Sequence, residues 1–289
     1  MLSRRGLRLL LAAAALLLAG GCGMIRVVYN NADTVLRFMA RDYGDLDSTQ
    51  TDQMRAALTR LHEWHRVNEL PLYAALAKDA GRRIARGATA EDVAWAIAGV
   101  RARYRQLIVR AAEETAPVVA TLGPAQLVAL DHKFAEDNRK YAKEYLSADE
   151  KKRLRAQLKR TLEHFRDFLG DLTPEQEARI ERFVKAGARH AVLRFEDRQR
   201  WQHDVIALIR QHRRPRELGE RLGELFAVPE ARRAEEYLRE DRRWEGDLAH
   251  LVVDLDRTLS PKQRARAVKR FETYAEDFTV LAARKKDRT

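Results

Sequence analysis

The sequence contains few cysteine, glycine, proline and aromatic residues, and each shortage argues against a class of protein. Because Cys22 is the only cysteine in 289 residues, the chain forms neither an internal disulfide nor a paired-cysteine metal site. The 14 glycines and 7 prolines argue against a loop-rich or all-β chain. Charged residues make up 34% of the chain and aromatic residues 7%, a composition that favours exposed helices around a core of leucine and alanine.

Apolar residues recur at helical spacing through most of the chain. In the last segment the steps alternate between three and four residues, along Val268, Phe271, Ala275, Phe278 and Ala282. Such a pattern places an apolar stripe on one face of a helix, where a neighbouring element buries it. Only the short run 26–29 has a pattern typical of a β-strand. We therefore predict an all-α fold, an elongated multi-helix bundle of about eight to ten helices arranged as hairpins, with no sheet.

Four predicted helix starts share one form, in which leucine precedes a capping position and glutamine follows that position by three residues. They are LDSTQ at 46–50, LGPAQ at 122–126, LTPEQ at 172–176 and LSPKQ at 259–263. The cap oxygen accepts a hydrogen bond from the first turn, and glutamine reaches back to the cap. Gly123 has no such oxygen, so its cap should be weaker. The unequal intervals between the starts predict helix hairpins and not duplicated units.

The first 21 residues have the layout of a secretory signal peptide. Arg4, Arg5 and Arg8 precede an apolar run at 9–19 that is too short to span a bilayer. The run ends in LLLAGGC, which resembles the lipobox of bacterial lipoproteins. That resemblance implies cleavage before Cys22, transfer of diacylglycerol to its thiol, and acylation of its amino group by a fatty acid such as palmitate. The alternative is an ordinary secretory cleavage site that precedes a cysteine by chance.

A multiply acylated Cys22 would hold the mature protein stably on a membrane. Gly23 follows it where inner-membrane lipoproteins of enteric bacteria carry aspartate, and this resemblance implies the periplasmic face of the outer membrane. The chain then divides into a signal peptide at 1–21, a lipidated N-terminus with a first helix at 22–45, and a helical domain at 46–289. That domain is either undivided or split into two sub-bundles that meet near 147–172.

Several segments together resemble a family of proteobacterial lipoproteins whose function has not been assigned. They are VYNNADTVLRFMARDYGDLDSTQ, LHEWHRVNELPLYA, LTPEQ, RFEDRQRW and LSPKQ. The most specific parts are the groups Asn30, Asn31, Asp33 and Trp64, His65, Arg66. The resemblance covers the mature chain and implies a helical protein of the cell envelope, but no reaction. LTPEQ-type starts also resemble those of the small periplasmic stress chaperones related to Spy and CpxP, although ordinary helix capping explains the same residues.

His62, His65 and Glu69 are spaced by three and four residues, as zinc ligands on one helical face would be. However, the sequence is not HExxH, and we expect the helix to break between residues 67 and 71, which would move Glu69 off that face. The favoured interpretation is a packed or hydrogen-bonded histidine at the edge of the core. We therefore assign no metal ligand, and we keep these three residues as binding candidates.

Arg194, Arg198 and Trp201 are predicted to lie on neighbouring turns of one helix. Arginines in this arrangement can bind an anion or a peptide carboxylate through forked hydrogen bonds. The alternative is a solvated face with local ion pairs and an inward-facing tryptophan, which is the commoner outcome for such charge patterns.

Clusters of lysine and arginine stand at 151–155, 213–216, 262–270 and 284–288, and the net charge is +12. No nucleic-acid-binding module is visible, so we expect no nucleic-acid partner. Anionic lipid headgroups lie within reach of an anchored protein and attract such clusters. The alternative is that these lysines and arginines are dispersed among acidic residues, in which case their charge contributes only to solubility.

The sequence carries no GxSxG, Walker, dinucleotide-binding or HExxH motif. We therefore expect no catalytic residue and no cofactor. The leading hypothesis is a non-enzymatic interaction or chaperone-like module that binds another envelope protein or unfolded clients in a groove between helices. The alternative is an envelope metal-dependent hydrolase that uses His62, His65 and nearby acids.

Overall fold

The computed structural model describes residues 24–32, 45–147 and 149–283, and within these ranges helices joined by short turns make up the chain, with no strand. The α-helices are α1 Met24–Asn30, α2 Ser48–Trp64, α3 Leu70–Ala85, α4 Ala90–Val119, α5 Pro124–Tyr145, α6 Glu150–Leu169, α7 Pro174–Ala186, α8 Ala188–Gln211, α9 Pro215–Ala227, α10 Glu235–Asp256 and α11 Pro261–Ala283. A π-helical turn, His65–Glu69, joins α2 to α3, and a short 3₁₀ helix, Pro229–Arg232, precedes α10. The predicted all-α class is confirmed.

The run 26–29, which reads as a strand in the sequence, belongs to helix α1. Two of its side chains explain this conformation, because residues three apart lie on one face of a helix. Arg26 pairs with Asp277 of α11 at 2.5 Å, and the Tyr29 hydroxyl lies 2.9 Å from His65 Nδ1. Tertiary contacts with α11 and the π turn therefore stabilise a helix that is too short to persist alone.

The four predicted helix starts meet in two pairs. In the first pair, Gln50 of α2 and Gln126 of α5 donate their side-chain amides to each other's oxygens, at 3.4 and 2.7 Å. Gln50 also donates to the hydroxyl of Thr121 at 3.0 Å, and Gln126 donates to the carbonyl of Asp45 at 2.9 Å. Each glutamine therefore completes its own helix cap and links it to another.

The second pair has the same hydrogen-bond pattern. Gln176 of α7 and Gln263 of α11 exchange amide hydrogen bonds at 3.2 and 2.9 Å. Gln176 donates to the Thr258 hydroxyl at 3.3 Å, and Gln263 donates to the Asp171 carbonyl at 2.8 Å. The starts therefore form two equivalent capping units, which the intervals along the sequence had concealed. The second interval is longer because α7 to α10 separate its two starts, whereas α2 to α4 separate those of the first.

The caps follow the sequence prediction. Asp47 and Thr173 each accept a hydrogen bond from the backbone amide three residues on, while the glutamine there accepts one from the cap. At Gly123 only the second of these bonds exists, with the Gly123 amide donating to Gln126 Oε1 at 2.9 Å. The weaker cap expected at this start therefore has half of the hydrogen bonds of the others.

The core lies where α4 packs on α9 and where α3 packs on α11. Gly81 allows the second contact, since a Cβ built there would stand 3.3 Å from the Cβ of Phe271. Two clusters of buried apolar side chains fill the interior. One contains Ala112, Ala120, Leu122, Leu127, Ile209, Leu218 and Leu222, and the other contains Ile180, Val184, Leu251 and Leu255. Across the described ranges, every helix falls short of the length and hydropathy that a bilayer crossing requires.

Candidate functional site: an arginine cleft

A cleft of about 680 Å³ opens beside α8, with α4, α5, the end of α9, the 3₁₀ helix and α10 as its other walls. This volume is within the range of ligand-binding pockets. Basic and aromatic side chains dominate its lining. The charged ones are Arg101, Arg105, Arg194, Arg198, Arg200, Arg232, Arg233, Asp197, Asp204, Glu230 and Asp241. We call it the arginine cleft.

Each acid that lines the arginine cleft is neutralised by an arginine that also lines it. Asp241 pairs with Arg101 at 3.0 Å, and Asp197 pairs with Arg233 at 3.1 Å. Two further pairs close the rim, Asp204 with Arg232 and Glu230 with Arg105. The seven arginines therefore exceed the four acids after every acid has a partner.

Of the three arginines in excess, Arg200 pairs at 4.0 Å with Glu196, which does not line the cleft, and Arg194 and Arg198 of α8 remain. Within the described residues, Arg194 and Arg198 form no ion pair with a carboxylate, and both side chains are exposed. Arg198 lies over the ring of Tyr141, with its guanidinium carbon 5.6 Å from the ring centroid. Stacking on an aromatic face orients a guanidinium and leaves its N–H groups in the plane available to an acceptor. The cleft thus presents two cations without counter-ions, and the ring of Tyr141 orients one of them, Arg198.

The floor of the arginine cleft is a buried polar cluster around Asp241. His190 Nε2 lies 2.9 Å from Asp241 Oδ1, and the His190 ring stacks on Trp244 at 4.9 Å between centroids. Burial alone would raise the pKa of Asp241, but the hydrogen bond with His190 and the charge of Arg101 together hold it below its ordinary value. Asp241 is therefore a fixed anion that positions both neighbours.

Asp197, on the neighbouring wall, behaves in the opposite way. Burial raises the pKa of its carboxyl above the ordinary value, although Arg233 beside it acts to lower that pKa. Arg233 in turn lies over the ring of Tyr237, with its guanidinium carbon 5.1 Å from the centroid. The two partly buried acids thus hold the paired arginines in place, and the unpaired arginines face solvent.

Aromatic side chains cover the rest of the lining. Trp201 is 36% exposed and packs against Phe226 of α9, with 5.5 Å between ring centroids. Tyr104 of α4 is 60% exposed, although large aromatic side chains usually lie buried. Exposed aromatic rings beside unpaired cations are typical of a binding surface.

The second group of candidate residues lies at the π turn, remote in sequence from α8. His65 donates or accepts through Nδ1 with the Tyr29 hydroxyl at 2.9 Å, and the His62 ring packs on Tyr29 at 4.6 Å. Glu69 is buried and faces Arg103 at 3.5 Å. The described residues contain no group of three or more His, Cys, Asp or Glu side chains that could hold a metal ion. The geometry is that of a packed aromatic cluster.

The helix break expected between residues 67 and 71 is wrong. The chain stays helical because a π turn inserts one extra residue, and the Leu70 amide donates to the His65 carbonyl. Pro71 follows directly after the π turn, within the first turn of α3. Glu69 is turned into the protein interior at this point, with its Oε2 unpartnered.

Burial sets the charge of the π-turn cluster. It lowers the pKa of His65 to about 4, with further lowering by His62 and Arg66, and it raises the pKa of Tyr29 to about 12. Both side chains are therefore neutral near pH 7. Burial also raises the pKa of Glu69, while the nearby charge of Arg103 acts to lower it.

We expect the His65 cluster to make folding sensitive to mild acid. In the unfolded chain the pKa of His65 is near 6.5, whereas burial lowers it to about 4 in the folded protein. Below pH 6.5 protons therefore bind the unfolded chain preferentially, and the free energy of unfolding falls as the pH falls toward 4. Between pH 7.5 and 5 the free energy of unfolding should fall by about 1–2 kcal/mol through this group. Urea titrations of the parent and of His65→Gln at both pH values measure it. An equal loss in the two proteins would contradict the assignment.

The arginine cleft and the π turn both lie within one region that matches a protein family. Residues 42–252 match the family of unknown function DUF6279. The chain belongs to this family. No curated protein and no solved structure matches it. The DUF6279 match carries no information on lipoproteins or on periplasmic chaperones, so those two resemblances stay predictions.

The DUF6279 region contains all of the predicted binding candidates, His62, His65, Glu69, Arg194, Arg198 and Trp201, and excludes Cys22. The structure brings the last three together on one wall of the arginine cleft and separates them from the first three. Cys22 lies outside the described residues, so its predicted lipidation is not tested by the geometry.

The wall of the cleft that α4 forms was not predicted from the sequence. Arg101, Tyr104, Arg105 and Ile108 of α4 face the cleft at helical spacing. Their spacing of three and four residues is readable in the sequence, but nothing local distinguishes it from a solvated helix face. Phe226 and Arg233 gave no signal at all, since they reach the cleft only through the packing of α9 and the chain after it.

Proposed function

We propose that this protein is a non-enzymatic interaction module whose arginine cleft binds another component of the cell envelope. The observation that carries the proposal is the pair of uncompensated, exposed arginines, Arg194 and Arg198, beside the exposed rings of Tyr104 and Trp201. Exposed aromatic rings beside uncompensated cations in a concave site are typical of a binding surface.

We further propose that Cys22 is lipidated and holds the module on the periplasmic face of the outer membrane. The support is the signal-peptide layout with LLLAGGC, together with the position of α1, which begins two residues after Cys22 and packs on the π turn and α11. A tether this short would keep the helical domain close to the membrane, since one residue spans at most about 3.6 Å.

The rival proposal, a metal-dependent hydrolase at His62 and His65, has less support. Its third ligand, Glu69, is turned inward toward Arg103, and His65 is engaged by Tyr29. A chaperone-like role for unfolded clients differs only in the ligand and would use the same cleft.

Site-specific photo-crosslinking in cells tests the binding site. A crosslinking amino acid in place of Trp201 or Tyr104 should yield discrete adducts with an envelope component. The same amino acid in place of Val128 of α5, a half-exposed residue that does not line the cleft, is the matched control. Equal adducts from Val128, or none from either cleft position, would refute the proposal.

Replacement of the predicted lipid-bearing residue tests the location independently. We expect Cys22→Ser to move the protein from the membrane fraction to the soluble or precursor fraction, because a thiol is required for the thioether to diacylglycerol. Intact-mass measurement of the membrane form should show cleavage before Cys22 and the added acyl mass. An unmodified thiol, or unchanged fractionation of the serine variant, counts against the anchor and leaves the cleft proposal standing.

A further inference from the structure

We infer that the arginine cleft recognises an extended acidic peptide with carboxylates on alternate residues followed by an aromatic side chain, of the form acid-x-acid-x-aromatic. This inference rests on the proposed function and adds the chemistry of the ligand. Three features of α8 carry it: the spacing of its unpaired arginines, their isolation from carboxylates, and the position of Trp201.

The spacing of the two arginines matches an extended chain. Arg194 and Arg198 are four residues apart on α8, so they are separated by about 6 Å along its axis at 1.5 Å per residue. Alternate residues of an extended peptide lie on one side of it and are about 6.6–6.8 Å apart. Carboxylates at positions i and i+2 would therefore meet the two guanidiniums in register, whereas adjacent carboxylates point to opposite sides.

The aromatic position follows from the next turn of the helix. Trp201 comes three residues after Arg198, which places the Trp201–Phe226 contact about 10 Å along the axis from Arg194. The side chain at i+4 of the peptide lies about 13 Å from that at i, and the length of an aromatic side chain covers the difference. Tyr104, on the opposite wall, offers a second ring face for the same side chain.

The charge distribution favours a peptide over a small free anion. The other five arginines of the cleft each pair with a carboxylate, Arg200 with Glu196 and the rest with acids of the cleft, so a small anion would meet only Arg194 and Arg198 uncompensated. What remains is two single cations, each able to form a forked hydrogen-bond pair with one carboxylate. A ligand with separated single charges and an aromatic group uses all of these features.

Fluorescence anisotropy with a labelled peptide tests the inference on the mature chain. The probe is Ser-Glu-Ser-Glu-Ser-Phe-Ser, and its same-composition control has the two glutamates adjacent. We expect the control, which can place only one carboxylate on a guanidinium, to bind about fivefold more weakly, and a probe with Gln for both Glu, which loses both charged contacts, to bind at least about tenfold more weakly. Affinity should fall with salt, since the contacts are exposed to solvent.

Protein variants assign the effect to the two arginines. We expect the Arg194→Gln, Arg198→Gln double variant to weaken the probe at least about tenfold, while each single variant loses part of that. Arg216→Gln is the control, an exposed arginine of α9 outside the cleft. Because Arg194 and Arg198 are exposed, their replacement should leave the melting temperature unchanged, which a scan verifies on the same samples.

Three results would overturn the inference: equal binding of the probe and the adjacent-glutamate control, no binding of the probe, or displacement of the probe by equimolar inorganic phosphate. The last would identify a small-anion site. A protein that crosslinks through Trp201 in cells but ignores the peptide would refute this ligand class and leave the proposed function intact.

Discussion

Leu218→Ala is expected to lower the free energy of unfolding by about 3 kcal/mol and the melting temperature by about 6–12 °C. Leu218 is fully buried in the cluster between α9 and α4, where its neighbour Gly219 lets the backbones approach closely. Loss of its side chain removes transfer free energy and leaves a cavity that two rigid helices cannot close. Urea titration followed by circular dichroism measures the change.

The same replacement should also weaken the arginine cleft, because the far end of α9 supplies Leu225 and Phe226 to its wall. We expect crosslinking through Trp201 to fall in Leu218→Ala under conditions where the protein is still folded. Val228→Ala is the matched control, since Val228 is 57% exposed just after α9 and should cost less than about 0.5 kcal/mol. Equal losses in the two variants would contradict the assigned packing of α9.

Gln176→Ala is expected to cost about 2–4 kcal/mol of stability, an unusual effect for the loss of a polar side chain. Gln176 is 0% exposed, and its amide joins the Thr258 turn to the cap of α11 through Gln263. Its removal takes one hydrogen-bond partner each from Thr258 and Gln263 and deprives the Thr173 amide of its side-chain acceptor, and such losses at a buried position carry a desolvation cost. Equilibrium unfolding in urea measures the difference.

A double-mutant cycle shows whether the glutamines act as a pair. Since Gln176 and Gln263 bond each other, the double alanine variant should cost less than the two single variants added together. Gln199→Ala, an exposed glutamine of α8, should be neutral. Strict additivity, or a cost below about 1 kcal/mol for Gln176→Ala, would show that the buried pair contributes little.

The helices and their caps were predictable because the interactions that form them are local. The cap at Thr173 needs only a glutamine three residues away, and the stripe of Phe271 and Phe278 on α11 needs only helical spacing. The prediction of a strand at 26–29 was wrong because the conformation of this segment depends on non-local contacts. That segment is helical because it packs on residues far along the chain, among them Asp277 and His65.

The pairing of the capping glutamines lay beyond local reasoning. The residues of each pair are separated by 76 and 87 positions, and no local signal states which start meets which. The π turn was also missed, since a one-residue insertion is compatible with the same apolar pattern on both sides. Its effect is substantial, because it turns Glu69 inward and removes it from the histidines.

Sequence periodicity and composition were sufficient to establish that this chain is helical, how its helices begin, and that Arg194, Arg198 and Trp201 share a face, because each depends on residues within a few turns. The arginine cleft depends on packing instead. Arg101 meets Asp241 across 140 positions, and only the assembled helices show that Arg194 and Arg198 are left without a carboxylate. A charge is paired or free according to what folds against it, and that is a property of the whole chain in three dimensions.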